Sequence, residues 1–123
     1  MAKYEIPQDQ VREMQMVGLE MLKHFDKVCK KNNLTYFFCG GCCIGTIRNK
    51  GFVPWDDDVD VFMPRSDYEK LKEVWKDTTD YSIQYTTKDF ITENQFLTIC
   101  ANNTTFIKTY QKNLDINHGV VLD

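Results

Sequence analysis

The stretch Trp55-Asp56-Asp57-Asp58-Val59-Asp60-Val61 places acidic residues among apolar ones in a segment that otherwise has the composition of a buried strand. An unpaired carboxylate in an apolar setting costs several kcal/mol or takes up a proton. Clustered carboxylates therefore imply a compensating cation. Carboxylate oxygens are ligands of hard divalent ions, so we predict that this strand binds Mg²⁺ or Mn²⁺.

In the predicted acidic strand, residues 57–63, successive side chains point to opposite faces. Asp58 and Asp60 share one face, and apolar residues occupy the other. The Cα atoms of the two aspartates are expected to lie about 6 to 7 Å apart, so both side chains can converge on one ion. Asp56 joins them if the strand extends that far back, and it is a possible additional metal ligand.

The acidic residues have two other interpretations. A solvated acidic turn is the usual setting of an aspartate run, but it leaves the apolar neighbours unexplained. An EF-hand calcium loop would use Asp56, Asp58 and Asp60 as its first three ligands. That loop requires glycine where Val61 stands, and Pro64 interrupts its continuation. The metal-binding strand accounts for more of the pattern than either.

A pair of glycines, Gly40-Gly41, follows a predicted buried strand at residues 35–39 and precedes a predicted short helix at residues 42–49. Glycines at such a junction let backbone amides approach an anion without interference from Cβ atoms. We predict that this turn binds phosphate groups of a nucleotide, the alternative being an ordinary tight turn. Arg48 is a candidate to clamp phosphate oxygens, the alternative being a surface cation.

The same turn is also a Cys-x-x-Cys motif, formed by Cys39 and Cys42. Such motifs at a strand-to-helix junction are typical of thiol redox proteins. The motif does not match the usual aromatic-Cys-x-Pro-Cys pattern, because Gly41 stands where that pattern has proline. No proline in a suitable downstream segment is evident, and redox chemistry would leave the acidic strand unexplained. A redox protein using Cys39 and Cys42 is the alternative function, and otherwise the cysteines are interpreted as small buried residues.

The rest of the chain predicts helices and strands in a single domain, residues 1–123. Apolar residues recur with a helical period from about Gln8 to Lys31, and a capping box at Ser66 and Glu69 predicts a helix that ends near Lys76. The predicted fold class is α+β, a mixed β-sheet with flanking helices. Further predicted strands occupy residues 81–86, 96–101 and 120–122.

Composition excludes several kinds of partner and location. Fifteen basic and 18 acidic residues give a net charge of −3, with no Lys/Arg stripe that would neutralise duplex nucleic acid. The longest apolar run, residues 36–44, is far shorter than the roughly 20 residues that cross a bilayer, so no membrane insertion is expected. Five cysteines, two of them adjacent, fit reduced thiols. With no signal peptide at the N-terminus, we predict a cytoplasmic protein.

The segment from Gly40 to Tyr68 closely resembles the signature of the LicD family, which includes bacterial phosphocholine transferases and, more distantly, fukutin-type transferases. The shared features are the Gly-Gly pair, a Gly-x-x-Arg turn, a Gly-Phe-x-Pro-Trp-Asp-x-Asp core and a Met-Pro-Arg-x-x-Tyr exit. The resemblance implies a nucleotidyltransferase-like fold. It also implies transfer of a phospho-alcohol, such as phosphocholine, from a CDP-linked donor to a sugar hydroxyl of a cell-surface glycan.

The resemblance also assigns roles to residues. Gly40 and Gly41 would bind the donor phosphates, while Asp58 and Asp60 would hold the metal. Asp123 falls where the family has a third carboxylate, and either Asp60 or Asp123 would accept the proton of the acceptor hydroxyl. Cys42 departs from the serine or threonine that commonly follows the glycines, which removes a hydroxyl group from the donor site.

Members of the family generally continue well beyond the position of Asp123. The chain is therefore expected to be an N-terminal portion or an unusually short relative. An alternative to the active enzyme follows from this expectation: a catalytically incomplete chain that only binds nucleotide and metal.

Overall fold

The computed structural model describes residues 7–52, 59–88, 90–92, 96–104, 113–114, 116–117 and 119–122. In the described part of the chain, helical segments alternate with the first two strands and three further strands then follow, the order predicted for this α+β protein. The helices are α1 (Gln8–Lys31), α2 (Gly41–Ile44) with a π-helix at Gly45–Asn49, and α3 (Arg65–Val74). The strands are β1 (Phe37–Phe38), β2 (Val61–Phe62), β3 (Tyr81–Gln84), β4 (Thr98–Ala101) and β5 (Val120–Leu122).

Helix α1 has the bounds that the apolar period predicts. Pro7 precedes its first turn with a φ of −53°, which suits the start of a helix. One stripe of the helix is buried, including Met21, Phe25 and Cys29. Asn32 and then Asn33, with a φ of 56°, end the helix, because asparagine tolerates the left-handed conformation. Among the described residues, no helix combines the length and apolar character that a membrane span requires.

The strands form two antiparallel ladders connected by one parallel bridge. Strand β1 pairs with β2, with Phe38 opposite Val61, and the second ladder has the order β3-β4-β5. Val59, just before β2, forms an isolated parallel bridge with Leu122 of β5. Parallel and antiparallel pairing therefore occur together, which confirms the predicted mixed arrangement.

The hydrophobic core lies between α1, α3 and the β4–β5 pair. Its most deeply buried side chains include Met21 and Phe25 from α1, Leu71 from α3, and Ile99 from β4. Val59 is buried in the same cluster. The apolar face predicted for the acidic strand is thus anchored in the core at Val59, and this anchoring fixes the orientation of Asp60.

Strand β1 is shorter and more exposed than predicted. The sequence predicts a buried strand over residues 35–39, whereas the strand comprises Phe37 and Phe38, and the Phe37 side chain is 59% exposed. Within the described part of the chain, β1 pairs with β2 alone and contributes no strand to the larger ladder. One face of this two-stranded sheet is consequently open.

The predicted capping box at the start of α3 is wrong. The helix begins at Arg65 with Pro64 as the N-cap residue, and no side chain caps it. Ser66 therefore lies within the first turn. Glu69 instead forms ion pairs with Arg65 at 2.7 Å and with Lys72 at 3.5 Å. The fixed φ of Pro64 starts the helix two residues earlier than a serine cap would.

Other boundaries differ from the predictions by a few residues. Strand β3 ends at Gln84 rather than at Thr86, and β4 begins at Thr98 rather than at Phe96. The predicted short helix at residues 42–49 is divided between α2 and the π-helix. Lys50, with a φ of 54°, ends the π-helix in the left-handed conformation.

Helix α1 passes close to the acidic strand at Gly18. A Cβ atom on Gly18 would lie 2.8 Å from Cγ2 of Val59, and the β-branched valine has few alternative rotamers. We expect Gly18→Ala to destabilise the protein by about 1 kcal/mol, because the overlap outweighs the gain in helix propensity. In a Val59→Ala background the same substitution should be stabilising. Urea unfolding of the four variants tests this change of sign, and equal effects in both backgrounds would contradict the packing assigned to Gly18.

Candidate functional site

The glycine turn and the acidic strand are neighbours in space. Phe38 of β1 pairs with Val61 of β2, and the backbone N–H of Cys39 donates to the backbone carbonyl of Asp60 at 3.2 Å. Gly40 therefore comes immediately after Cys39, the residue whose backbone is hydrogen-bonded to Asp60. The sequence predicts both features on one sheet, and the pairing confirms that placement.

Gly40 reverses the chain between β1 and α2. Its φ of +57° lies in the left-handed region, where residues with a Cβ atom are strained. The Gly40 carbonyl accepts the first helical hydrogen bond, from the Ile44 N–H at 3.1 Å. A Cβ atom at Gly40 would have no heavy atom within 4 Å, so the conformation, and not crowding, favours glycine. The predicted tight turn is confirmed, while phosphate binding there stays a prediction.

Only Asp60 of the predicted acidic ligands lies among the described residues; Asp56, Asp58 and Asp123 lie outside them. Its side chain is partly exposed. A carboxylate at the open edge of the core fits a hard divalent ion. The described residues contain no group of three or more His, Cys, Asp or Glu side chains placed to hold a metal.

The bridge between Val59 and Leu122 relates the acidic strand to β5. Val59 stands between Asp58 and Asp60 in the sequence, and Leu122 precedes Asp123. Asp58 and Asp123 themselves lie outside the described residues. The bridge thus brings β5 beside Val59, the described residue that precedes Asp60.

A cavity of about 380 Å³ opens beside Asp60 between β2, α3 and the start of β4. Its lining is mainly apolar, and Asp60 and Arg65 are the charged residues among the described side chains that line it. A mostly apolar cavity with a few convergent polar groups is typical of a small-molecule site. The apolar and aromatic lining includes Phe25, Val61, Phe62, Met63, Tyr68, Leu71, Phe96, Leu97, Ile99 and Leu122.

The cation that lines this cavity is Arg65, and the predicted phosphate clamp, Arg48, is not among the lining residues. Arg48 lies exposed on the π-helix, where its Nε donates to Oδ1 of Asn49 at 3.1 Å. The guanidinium of Arg65 lies 5.3 Å from the centre of the Tyr68 ring and pairs with Glu69. Sequence reasoning missed Arg65, although its position directly after the acidic strand was a usable signal.

Helix α3 is fixed against both neighbouring segments by hydrogen bonds. The Asp67 carboxylate accepts the Thr35 N–H at 3.0 Å, which connects α3 to the segment that leads into β1. The hydroxyl of Tyr68 accepts the Leu97 N–H at 2.9 Å, just before β4. The walls of the cavity are therefore held together by polar contacts as well as by apolar packing.

A polar network fixes the approach to β1. The Tyr36 hydroxyl donates to Asp26 at 3.0 Å, and Asp26 pairs with Lys30 at 2.8 Å. The hydrogen bond from Lys30, and then that from Tyr36, lowers the pKa of Asp26. Burial, followed by the Asp26 contact, raises the pKa of Tyr36 to about 12. Tyr36 thus stays protonated at neutral pH and anchors the glycine turn to α1.

The cysteines occupy different environments. Cys29 and Cys100 are buried as predicted, and burial raises the pKa of the Cys29 thiol to about 12. Cys43 is exposed, so the prediction of a buried residue is wrong there, because α2 presents it to solvent. Cys39 is half-buried and lines the cavity, while the Cys42 side chain lies outside the described residues. A redox role for Cys39 and Cys42 stays an alternative prediction.

Comparison with protein families adds a decisive observation. The family described as LicD/FKTN/FKRP, nucleotidyltransferase domain, matches residues 33–120. The chain belongs to the LicD family. The matched region runs from just after α1 to the first residue of β5, so it contains the glycine turn, β2 and α3. The nucleotidyltransferase-like fold class implied by the signature is thereby confirmed.

The chain matches only part of each relative to which it is similar. The lipopolysaccharide cholinephosphotransferase LicD of Haemophilus influenzae is 39% identical over 84 residues, which are 68% of this chain and 32% of that protein. An uncharacterized protein of Rickettsia prowazekii is 29% identical over 55 residues, 45% of this chain and 21% of that protein. The chain therefore spans about a third or less of the length of these relatives. No solved structure matches it at a significant level.

Proposed function

We propose that this chain carries the donor and metal site of a transferase that moves phosphocholine from CDP-choline to a sugar hydroxyl of a cell-surface glycan. The observation that carries the proposal is the pairing of Cys39 with Asp60, which sets the glycine turn beside the acidic strand in a member of the LicD family. The similar Haemophilus protein is a lipopolysaccharide cholinephosphotransferase, which supports both the group transferred and the glycan acceptor.

Three carboxylates would hold Mg²⁺ or Mn²⁺: Asp60, Asp58 and Asp123. Asp56 is a further candidate on the same segment. In the sequence, Asp58 and Asp60 flank Val59, and Asp123 follows Leu122. Because Val59 and Leu122 are bridged, this adjacency supports the three carboxylates acting together. A bound divalent ion would supply charge stabilisation for the phosphates of the donor.

The backbone amides of Gly40 and Gly41 would bind the donor phosphates, since the left-handed turn carries no Cβ atom that would block their approach. Arg48 follows on the π-helix and would add positive charge near this turn. Binding and positioning by fixed dipoles and charges would supply most of the catalysis.

In the proposed reaction, an oxygen of the acceptor sugar forms a bond to the choline-bearing phosphorus. The bond from that phosphorus to the oxygen bridging to the cytidine-bearing phosphate breaks, and CMP leaves with the electron pair. The proton of the sugar hydroxyl passes to a carboxylate, Asp60 or Asp123. A carboxylate within hydrogen-bond reach of the acceptor is suited to this role as general base.

Calorimetric titration with CDP-choline tests the proposal. We expect saturable binding in the presence of Mg²⁺ or Mn²⁺ and its loss in EDTA. Binding that is the same with and without the metal would contradict the metal site, and no binding in either condition would contradict the donor site. Formation of CMP from CDP-choline with a lipopolysaccharide acceptor then distinguishes a complete enzyme from a chain that only binds the donor.

A further inference from the structure

Two phenylalanines at the cavity beside Asp60 are unusually exposed. The side chains of Phe62 and Phe96 are 62% and 68% exposed, and both line the cavity. Phe37, directly opposite Phe62 on β1, is also exposed, so the open face of the two-stranded sheet presents an aromatic pair. Clustered exposed apolar side chains on a protein surface commonly mark a binding site.

Two charged side chains, Asp60 and Arg65, line the cavity among the described residues. Asp60 precedes Phe62 by two residues, so strand alternation places its carboxylate on the same face. Arg65 also lines the cavity, but its charge is paired with Glu69 at 2.7 Å and its guanidinium is stacked on Tyr68. The positive charge of Arg65 is thus offset by Glu69, and it opposes a cation at Phe62 and Phe96 less strongly.

Aromatic faces bind quaternary ammonium groups through the ring quadrupole. A trimethylammonium group has no hydrogen to donate, and its methyl groups are apolar, so an apolar cavity does not deprive it of hydrogen bonds. A primary ammonium of the same charge would lose its strong hydration in such a cavity. An apolar, aromatic lining therefore favours a quaternary ammonium over a primary ammonium.

We propose that this cavity binds the quaternary ammonium of the donor's choline group, with Phe62 and Phe96 as its aromatic walls. The inference rests on the proposed function, in which Asp60 helps to hold the donor phosphates through the metal. Only an ester oxygen and two carbons separate the choline nitrogen from the phosphorus. Residues two apart on a strand are separated by about 6 to 7 Å, so a phosphate bound at Asp60 brings the ammonium group to Phe62.

Calorimetry with three ligands in the presence of Mg²⁺ tests the inference on the full chain. The ligands are CDP-choline, CDP-ethanolamine, which carries a primary ammonium, and CDP, which carries neither alcohol. We expect CDP-choline to bind about tenfold more tightly than CDP-ethanolamine. Phe62→Leu and Phe96→Leu should each reduce this preference to about threefold or less, while the affinity for CDP stays unchanged.

Two further variants serve as matched controls. Phe62→Tyr keeps the aromatic face and should keep the preference for choline. Phe90→Leu removes an exposed phenylalanine that does not line the cavity, and it should leave all three affinities unchanged. Circular dichroism verifies that each variant is folded. Because the Phe62 and Phe96 side chains are largely exposed, we expect their substitution to leave the core intact.

Several outcomes would overturn the inference without affecting the proposed function. Equal binding of CDP-choline and CDP-ethanolamine by the unaltered chain would exclude a site for the quaternary ammonium. An equal loss of affinity for all three ligands in Phe62→Leu and Phe96→Leu would assign the rings to the cytosine base or to the phosphates. Failure of all three ligands to bind the unaltered chain would instead contradict the proposed function, and the inference with it.

Discussion

Asp60→Asn is expected to weaken Mg²⁺-dependent binding of CDP-choline by about 100-fold or more. The substitution replaces the charged metal ligand that we propose with a neutral amide, and loss of even a supporting contact at a metal site costs about 10- to 100-fold. The backbone carbonyl that accepts the Cys39 N–H remains in the variant, so the pairing beside the glycine turn should persist. Titration calorimetry measures the effect directly, and Mg²⁺ should also cease to raise the melting temperature.

The control for this experiment is Glu73→Gln. Glu73 lies exposed on α3, and its substitution removes one negative charge without altering the acidic strand. We expect its affinity for CDP-choline and its response to Mg²⁺ to equal those of the unaltered chain. If Asp60→Asn and Glu73→Gln had the same small effect, the carboxylate of Asp60 would contribute only to net charge and would not be a metal ligand.

The fold elements that the sequence predicts well are those determined by local pattern. Helix α1 has the bounds of its apolar period because one continuous stripe must be buried, and the two asparagines after it end the helix. Gly40 predicts a turn because few other residues adopt its φ of +57°. Val59 could be assigned to the core because strand alternation separates it from the aspartates.

The features that the sequence predicts wrongly have two causes, the pairing of distant segments and competition between local signals. The continuous apolar character of residues 35–39 is typical of a buried strand, yet Phe37 is exposed because β1 has β2 as its only partner within the described residues. Ser66 and Glu69 have the spacing of a capping box, but Pro64 fixes the start of α3 earlier. A missing distant partner overrides local preference at β1, whereas at α3 the neighbouring Pro64 prevails over the capping motif.

The candidate site likewise has one part that the sequence predicts and one part that it does not. The proximity of the glycine turn to Asp60 could be predicted, because the two motifs lie on consecutive strands of one small sheet. The cavity could not, since Phe96 and Leu97 reach it from a segment more than 30 residues further along the chain. The position of Arg65 directly after the acidic strand is visible in the sequence, but its place in the cavity lining depends on this distant segment.

Gly119→Ala is expected to be strongly destabilising, by about 3 kcal/mol, with a fall in melting temperature of about 10 °C. A Cβ atom at Gly119 would overlap the backbone carbonyl oxygen of Ala101 and would lie 3.0 Å from Oδ1 of Asn117. The carbonyl belongs to β4 and cannot move without disturbing the β4–β5 pairing. Thermal and urea unfolding followed by circular dichroism measure the loss.

Gly51→Ala provides the matched control, since a Cβ atom at Gly51 would have no heavy atom within 4 Å and its φ is not in the left-handed region. That substitution should change the free energy of unfolding by less than about 0.5 kcal/mol. Because β5 leads to Asp123, any Gly119→Ala protein that remains folded should also bind Mg²⁺ more weakly than Gly51→Ala. Equal stability of the two variants would show that β5 does not pack against Ala101 as described, and it would remove the support that the Val59–Leu122 bridge gives to the three-carboxylate site.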